Sequence, residues 1–347
     1  MELELKPLEE QTLVITGGSS GIGLVTAKRA AKRGARVLLA ARSKRELKDA
    51  VKKIEKKGGT ATYVTADVAD AGDVEKIAEK AIDEYGGFDT WINNAGVSIY
   101  GRIEEVPEDD ARRLFDVNYW GVVHGCAVAV PYLREMGGAI INLGSVASDR
   151  AIPLQGHYSA SKHAVKGFTD ALRMELEEED APISVTLIKP AGIDTPYPRH
   201  ARSFMDVEPQ VPAPVYSPKA VAKAILEAAE RPVRDVTVGG GGRLLTALGG
   251  LAPRLTDRYM ERNMFDAQRS DEPVSRKRKD TLYKPRKDAA ERGDHDGYVF
   301  RTSAYTQSVL HPGRALVGAA VAGLGIALAL NSDALRGGNG GGSDGGD

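Results

Sequence analysis

Cysteine is almost missing from this chain. Cys126 is the one cysteine in 347 residues, which excludes an intramolecular disulfide framework and any thiolate metal cluster. It lies in the apolar run 121–130 and reads as a small core residue. Histidine is scarce at six, and no group of histidines has metal-ligand spacing, so no metal is expected. A charge excess of one sign is also lacking. Lys and Arg number 47 against 48 Asp and Glu, a net charge of -1, with the two signs interspersed, which argues against a nucleic-acid partner. The one basic cluster, Arg276, Lys277, Arg278 and Lys279, has no aromatic platform beside it and reads as solvated linker. The first residues, MELELKPLEE, lack the basic-then-apolar pattern of a secretory signal, so folding in the cytoplasm is expected.

What is present is an alternation. From residue 11 to about 238, short β-branched apolar runs (LVIT, ARVLLA, TATYVTA, FDTWIN, GAIINLGS, ISVTLIK, RDVTV) are separated by helical spacing over 21–33, 44–57, 73–85, 108–136, 158–178 and 218–230. Seven strands with intervening helices predict an α/β, Rossmann-type doubly wound parallel sheet with helices on both faces. A proline-rich stretch, 196–218, interrupts the pattern where a substrate loop can sit above the strand ends. The predicted division is a catalytic domain over 1–240, a charged extension over 241–314, an apolar segment over 315–332 and a Gly-rich tail over 333–347 that cannot bury a core.

Directly after LVIT stands Thr16-Gly17-Gly18-Ser19-Ser20-Gly21-Ile22-Gly23, opening a helix. Glycines let the backbone approach a pyrophosphate, and amides at the helix start bind its charge. Gly17, Ser19, Ser20, Gly21, Ile22 and Gly23 are the candidate cofactor contacts here. An NAD-selective site would end its second strand on an acidic residue, whereas this strand ends Ala40-Ala41-Arg42-Ser43. Arg42 can pair with a 2'-phosphate and Ser43 can add a hydroxyl donor, so NADP(H) is expected over NAD(H).

Tyr158 and Lys162 are four apart on a helical pattern and share a face. A free tyrosine titrates near pH 10, so a useful base near neutrality needs about 3 pKa units of help, or roughly 4 kcal/mol. A neighbouring ammonium and a bound nicotinamide cation can supply it. Ser145, at the end of GAIINLGS, can hold a substrate oxygen as charge develops there, with Ser148 the weaker choice. His157 and His124 have no necessary role beside the Tyr/Lys pair.

Over residues 8–240 the chain resembles the short-chain dehydrogenase/reductase family, with an additional C-terminal extension. The resemblance rests on the glycine run at 16–23, Asn93-Asn94-Ala95-Gly96, Val117-Asn118-Tyr119-Trp120-Gly121, Ser145, Tyr158-x-x-x-Lys162 and Pro190-Ala191-Gly192-Ile193-Asp194-Thr195. It implies that Gly17, Gly21 and Gly23 form the cofactor loop and that Asp67, with Val68 beside it, meets the adenine. Asn94, Ala95 and Gly96 would support cofactor and sheet. Pro190, Gly192, Ile193 and Thr195 would hold the nicotinamide side. It further implies Asn118, Ser145, Tyr158 and Lys162 as the catalytic set, Lys162 also binding the nicotinamide ribose and Asn118 positioning a water beside it. Two departures stand out: Ala191 follows the proline of the nicotinamide segment, and Ser20 precedes the second glycine where some NADP-dependent members carry a base.

Ser98, Ile99, Tyr100, Ala147, Leu154, Gln155, Tyr197 and Pro198 form the expected pocket wall, mostly apolar and uncharged. A lipophilic ketone, aldehyde or secondary alcohol is therefore the expected small-molecule partner. The resemblance also implies a homodimer or homotetramer through the helices near 110–130 and 158–176. Residues 315–330 carry no charge and would span about 24 Å as a helix, short of the roughly 30 Å of a bilayer core. Membrane association through 315–332 and a packed or oligomerising helix both remain open there. The competing functional reading is a catalytically idle NADP-sensing module that recruits partners through its tail.

Overall fold

The alternation resolves into one parallel sheet. In the computed structural model, which describes residues 3–275, 278–286 and 290–311, the strands are β1 (Thr12–Thr16), β2 (Arg36–Ala41), β3 (Thr60–Thr65), β4 (Thr90–Asn93), β5 (Gly138–Leu143), β6 (Ile183–Pro190) and β7 (Asp235–Val238). They lie in the order β7-β6-β5-β4-β1-β2-β3, each neighbouring pair parallel. Helices cover both faces, so β1 and β6 are buried along their whole length, which is why β-branched and apolar residues dominate them without strict alternation. The expected seven-stranded Rossmann-type fold is the one that forms.

The helices are α1 (Gly21–Lys32), α2 (Lys44–Glu55), α3 (Ala71–Tyr85), α4 (Glu108–Phe115), α5 (Gly121–Met136), α6 (Gly156–Glu178), the short α7 (Tyr197–His200) and α8 (Pro218–Glu230). Their ends follow local chemistry. Asp70 caps α3 by accepting from the Asp73 amide at 2.9 Å, and α3 stops at Gly86 in the left-handed region. The pattern over 108–136 is not one helix: a π-helical turn, Asp116–Trp120, separates α4 from α5. Such a turn inserts a residue without disturbing the apolar spacing much, so periodicity alone does not reveal it. Cys126 is buried as expected, between Asn93 and Asn142, with burial pushing its thiol up to about 12.

Strand order reverses between β1 and β4. The loops leaving their carboxyl ends diverge and open a crevice, the usual ligand position in such sheets. Beyond β7 the chain forms α9 (Gly240–Leu251) and α10 (Pro253–Ala267) and belongs to one compact unit through Thr306. The Thr306 hydroxyl donates to the Thr237 carbonyl at 3.0 Å and accepts from the Gly239 amide at 3.2 Å. Arg278 departs from the expected solvated linker: it pairs with Glu208 and donates to the carbonyls of Pro198 and Ala201, each at 2.8 Å. Of the second unit, 307–347, residues 307–311 are described. The segments 315–332 and 333–347 lie outside the described residues, as do Arg276 and Lys277. Among the described residues, no helix is long and apolar enough to cross a membrane.

Candidate active site

The glycine run makes a turn that only glycine accommodates at two points. Gly17 has φ +65°, and a Cβ there would meet the Ala95 Cα at 2.8 Å. A Cβ on Gly23 would lie 2.4 Å from the Gly17 carbonyl oxygen. The turn is tied to the loop after β4: the Asn94 side chain donates to the Thr16 carbonyl at 2.9 Å and the Gly17 carbonyl at 3.2 Å. The Thr16 hydroxyl accepts from the amides of Asn94 and Ala95 at 3.0 and 3.1 Å. Two backbone loops are thus held at a fixed separation with a cleft between them.

That cleft is lined by Gly17, Ser19, Ser20, Gly21, Arg42, Ser43, Asp67, Val68, Asn94, Ala95, Gly96 and Thr195 among the expected cofactor contacts. Its floor carries groups that the sequence pattern did not single out. Asp67 pairs with Arg113 and lies 4.0 Å from Arg42. The Arg42 guanidinium donates to the carbonyls of Thr281 and Leu282, and burial lowers its pKa. The Ser43 hydroxyl donates to Glu46, so its proton is engaged there rather than presented as a phosphate donor. Glu46, three residues past Ser43 on α2, also lines the cleft and adds a carboxylate that the strand-end pattern did not show.

A second, larger cavity of about 770 Å³ shares Asn94, Gly96, Thr195 and Tyr197 with the first and is lined by Ser145, Tyr158 and Lys162. Ile22, Pro190, Gly192 and Ile193 also line it. Ser145 follows β5, and its Oγ accepts from the Ala147 amide at 3.1 Å. Ser148 is used locally, accepting from the Ser145 amide at 3.1 Å. Burial drives the Tyr158 phenol above its ordinary value, while hydrogen bonding with Ser145 and Tyr197 draws it back. The Lys162 ammonium donates to the Leu143 carbonyl at 2.7 Å, and burial lowers its pKa to about 8. An acid near neutrality, a phenol and a hydroxyl in one mostly apolar cavity can together exchange a proton with a bound oxygen.

Asn118 stands apart from the cavities. Its side chain brackets Val97, accepting from the amide at 2.8 Å and donating to the carbonyl at 3.0 Å, and donates to Ser161 at 3.1 Å. It lies behind Gly96, where a Cβ would come within 3.4 Å of Asn118 Oδ1 and 3.9 Å of Lys162 Nζ. Gly23 likewise supports the turn from behind instead of lining it. Of the expected pocket wall, Tyr100, Gln155 and Tyr197 line the large cavity and Ser98 lines the adjoining cleft, whereas Ile99, Ala147, Leu154 and Pro198 line neither. The missed wall is Leu244, Leu245, Leu248, Leu255, Tyr259 and Met264 on α9 and α10. The legible signal was the apolar run LLTALGGLAPRL at 244–255. His124 Nδ1 donates to the Val68 carbonyl, 3.0 Å away, as a packed histidine does.

A short chain dehydrogenase family model matches residues 11–206. The chain belongs to the short-chain dehydrogenase family. This dehydrogenase is 45% identical over 323 residues to the uncharacterized oxidoreductase YxnA of Bacillus subtilis, covering 92% of this chain and 90% of that protein. Its fold is similar to that of a short chain dehydrogenase/reductase from Burkholderia phymatum in complex with NAD, with TM-score 0.62, 26% identity, and coverage of 79% and 99% of the two chains. It is also similar to an alcohol dehydrogenase from Thermococcus sibiricus complexed with 5-hydroxy-NADP, with TM-score 0.57, 25% identity, and coverage of 66% and 95%. As a member of this oxidoreductase family, the dehydrogenase has the Rossmann nucleotide-binding architecture that its site geometry displays.

Proposed function

We propose that this short-chain dehydrogenase transfers a hydride between NADP(H) and a bulky lipophilic ketone, aldehyde or secondary alcohol. The observation that carries the reading is the meeting of Ser145, Tyr158 and Lys162 in an apolar cavity that shares walls with the glycine-turn cleft. Nicotinamide supplies or accepts the hydride; the protein's own groups manage the oxygen and its proton. Tyr158 gives its phenolic proton to the carbonyl oxygen in reduction, or takes the alcohol proton in oxidation. Ser145 donates to the same oxygen as charge develops on it, which lowers the barrier most where water is excluded. Lys162, protonated below its lowered pKa, favours the phenolate, and Asn118 fixes the backbone of the turn in front of Lys162. The residues fit a dinucleotide: backbone amides and glycines surround the cleft, and no side chain fills it.

Preference for NADP(H) rests on Arg42, whose guanidinium faces the cleft and bonds to carbonyl oxygens, leaving its charge less neutralised than that of Arg113 on Asp67. Glu46 opposes it, so the expected selectivity is moderate. The substrate class rests on the cavity, whose size lies within the range of about 300–1,000 Å³ for small-molecule sites. Its walls are largely leucine, valine, proline and tyrosine, with Ser145, Tyr158 and Lys162 together at the catalytic end. We further infer a homo-oligomer through α5 and α6, supported by the exposure of Trp120, at the end of the π-helical turn that leads into α5, and of Met174 on α6, at 48% and 60%. Light scattering on the purified chain tests it. For the reaction, NADPH consumption against a panel of lipophilic ketones, aldehydes and quinones is the test: turnover that disappears in Tyr158→Phe is expected, and turnover that persists in that variant sinks the mechanism.

A further inference from the structure

The extension lines the dinucleotide cleft at one end and packs on the start of α1 and on Thr195 at the other. At the Arg42 end, residues 278–286 are anchored by Leu282, whose side chain is fully buried in the core. Arg113 donates to the Leu282 carbonyl at 3.3 Å, the Thr281 amide donates to the His200 carbonyl at 2.8 Å, and the Tyr283 hydroxyl donates to Asp110 at 2.9 Å. Thr281, Pro285 and Arg286 line the cleft along with the turn residues Gly17 and Ser19. At the other end, the amide of Gly21, the first residue of α1, donates to the Ala290 carbonyl at 2.8 Å. Glu291 pairs with Lys28 of α1 at 2.6 Å, and Arg292 donates to Asp194 at 2.6 Å. Gly293 sits so close that a Cβ would lie 2.6 Å from the Thr195 carbonyl oxygen.

We propose that residues 278–286 and 290–293 are the outer wall of the dinucleotide site, and that displacement of 290–293 sets how fast the cofactor is exchanged. The inference rests on the cofactor reading given under Proposed function. Two observations separate a wall from a plug. The cleft persists as a cavity with glycine-turn residues and Thr281, Pro285 and Arg286 on its surface together, so residues 278–286 enclose space instead of filling it. The two ends also differ in how they are held. Residues 278–286 are pinned by a buried leucine and by Arg278, itself bonded to Glu208 and two carbonyls. Residues 290–293 are held by the Gly21–Ala290 backbone bond and by two ion pairs, Glu291 with Lys28 and Arg292 with the buried Asp194, in which Arg292 is 60% exposed and Glu291 37%. The Lys28–Glu291 pair is partly exposed and so screened, and none of residues 290–293 is buried whereas Leu282 is, so this end releases while the other stays. It releases beside the pyrophosphate turn and Thr195, the two places a bound dinucleotide must clear.

The test uses the full chain and measures binding, not turnover. NADPH dissociation is followed by stopped-flow fluorescence, with excess NADP⁺ as the trap, and affinity by equilibrium titration. Glu291→Lys with Arg292→Glu places like charges against Lys28 and Asp194. Dissociation is expected to quicken about tenfold and affinity to weaken in parallel, the equivalent of roughly 1.4 kcal/mol. Exchanging the partners, Lys28→Glu with Glu291→Lys, restores the pair in reverse and should return the rate to within about twofold of wild type. Unchanged dissociation in the repulsive variant, with an unchanged melting temperature, overturns the proposal. Tighter NADPH binding in that variant overturns it too, since it makes the segment a competitor. If the wild-type chain binds neither NADPH nor NADH, the cofactor reading itself fails and takes this inference with it.

Discussion

The two walls of the substrate cavity are built on different principles. The wall contributed by β5, α6 and the loop after β6 holds Ser145 and Lys162, both buried, and Tyr158, half-buried, each fixed by bonds to backbone or to neighbouring hydroxyls. The opposite wall, α9 and α10, contributes leucines that remain largely open, with Leu244 at 62% and Leu255 at 66% exposure, and only Thr246, Thr256 and Met260 buried. The first wall has low freedom and directed polarity, which proton transfer requires. The second presents area without direction, which suits selection by size and apolarity. One buried contact joins the two: Gln155 donates to Gln268 at 2.6 Å, and Gln155 accepts from Tyr197 at 3.1 Å. Under the proposed function, chemistry and choice of substrate fall to separate parts of the chain.

Changes to the rigid wall should be the costliest. Tyr158→Phe is expected to lower kcat by about 10³-fold, the middle of the range for a positioned acid or base, while cofactor affinity measured by fluorescence stays within about twofold. A loss confined to KM would break the division between the walls. Next in size is Arg42→Asp, which exchanges a cation for a repulsive charge and should lower the NADP/NAD affinity ratio by about 30-fold; isothermal titration with both cofactors reads it directly. An unchanged ratio would move cofactor choice to another residue.

On the apolar wall, Leu245→Ala should lower kcat/KM for a bulky ketone by about tenfold, within the 1–3 kcal/mol of a lost apolar contact, and leave a small ketone nearly untouched. Equal losses for both would mean that α9 serves stability and not selection. The smallest effect concerns pH. Lys162 is an ammonium below about 8 and neutral above it, so the rate of carbonyl reduction is expected to be flat in the acid range and to fall as pH rises through that value. Lys162→Arg keeps its charge throughout and should move this limb upward, if it binds cofactor; a profile that does not move assigns the limb to another group.

Much of the rigid wall was legible because its chemistry is tied to short-range geometry. A glycine turn between strand and helix, a Tyr and a Lys one helical turn apart and a serine at a strand end keep their meaning in one dimension. Arg42 was legible as a residue but not in its partners, Thr281 and Leu282, which lie about 240 positions away. Glu46 was passed over because a helical glutamate ordinarily faces solvent, and only packing buries it beside Ser43. Asn118 was found by likeness, while its π-helical turn left no mark on the apolar spacing.

By itself the sequence determined the fold class, the strand order's raw material and the candidates for the reacting groups, because strand burial and helical spacing are local consequences of residue type. The tertiary structure alone decided that the charged extension lines both cavities. Residues 240–293 carry no motif and reach the cleft by contacts spanning up to 269 positions, as from Gly21 to Ala290. Several of those contacts run through backbone carbonyls, which every residue possesses and no pattern of side chains can announce.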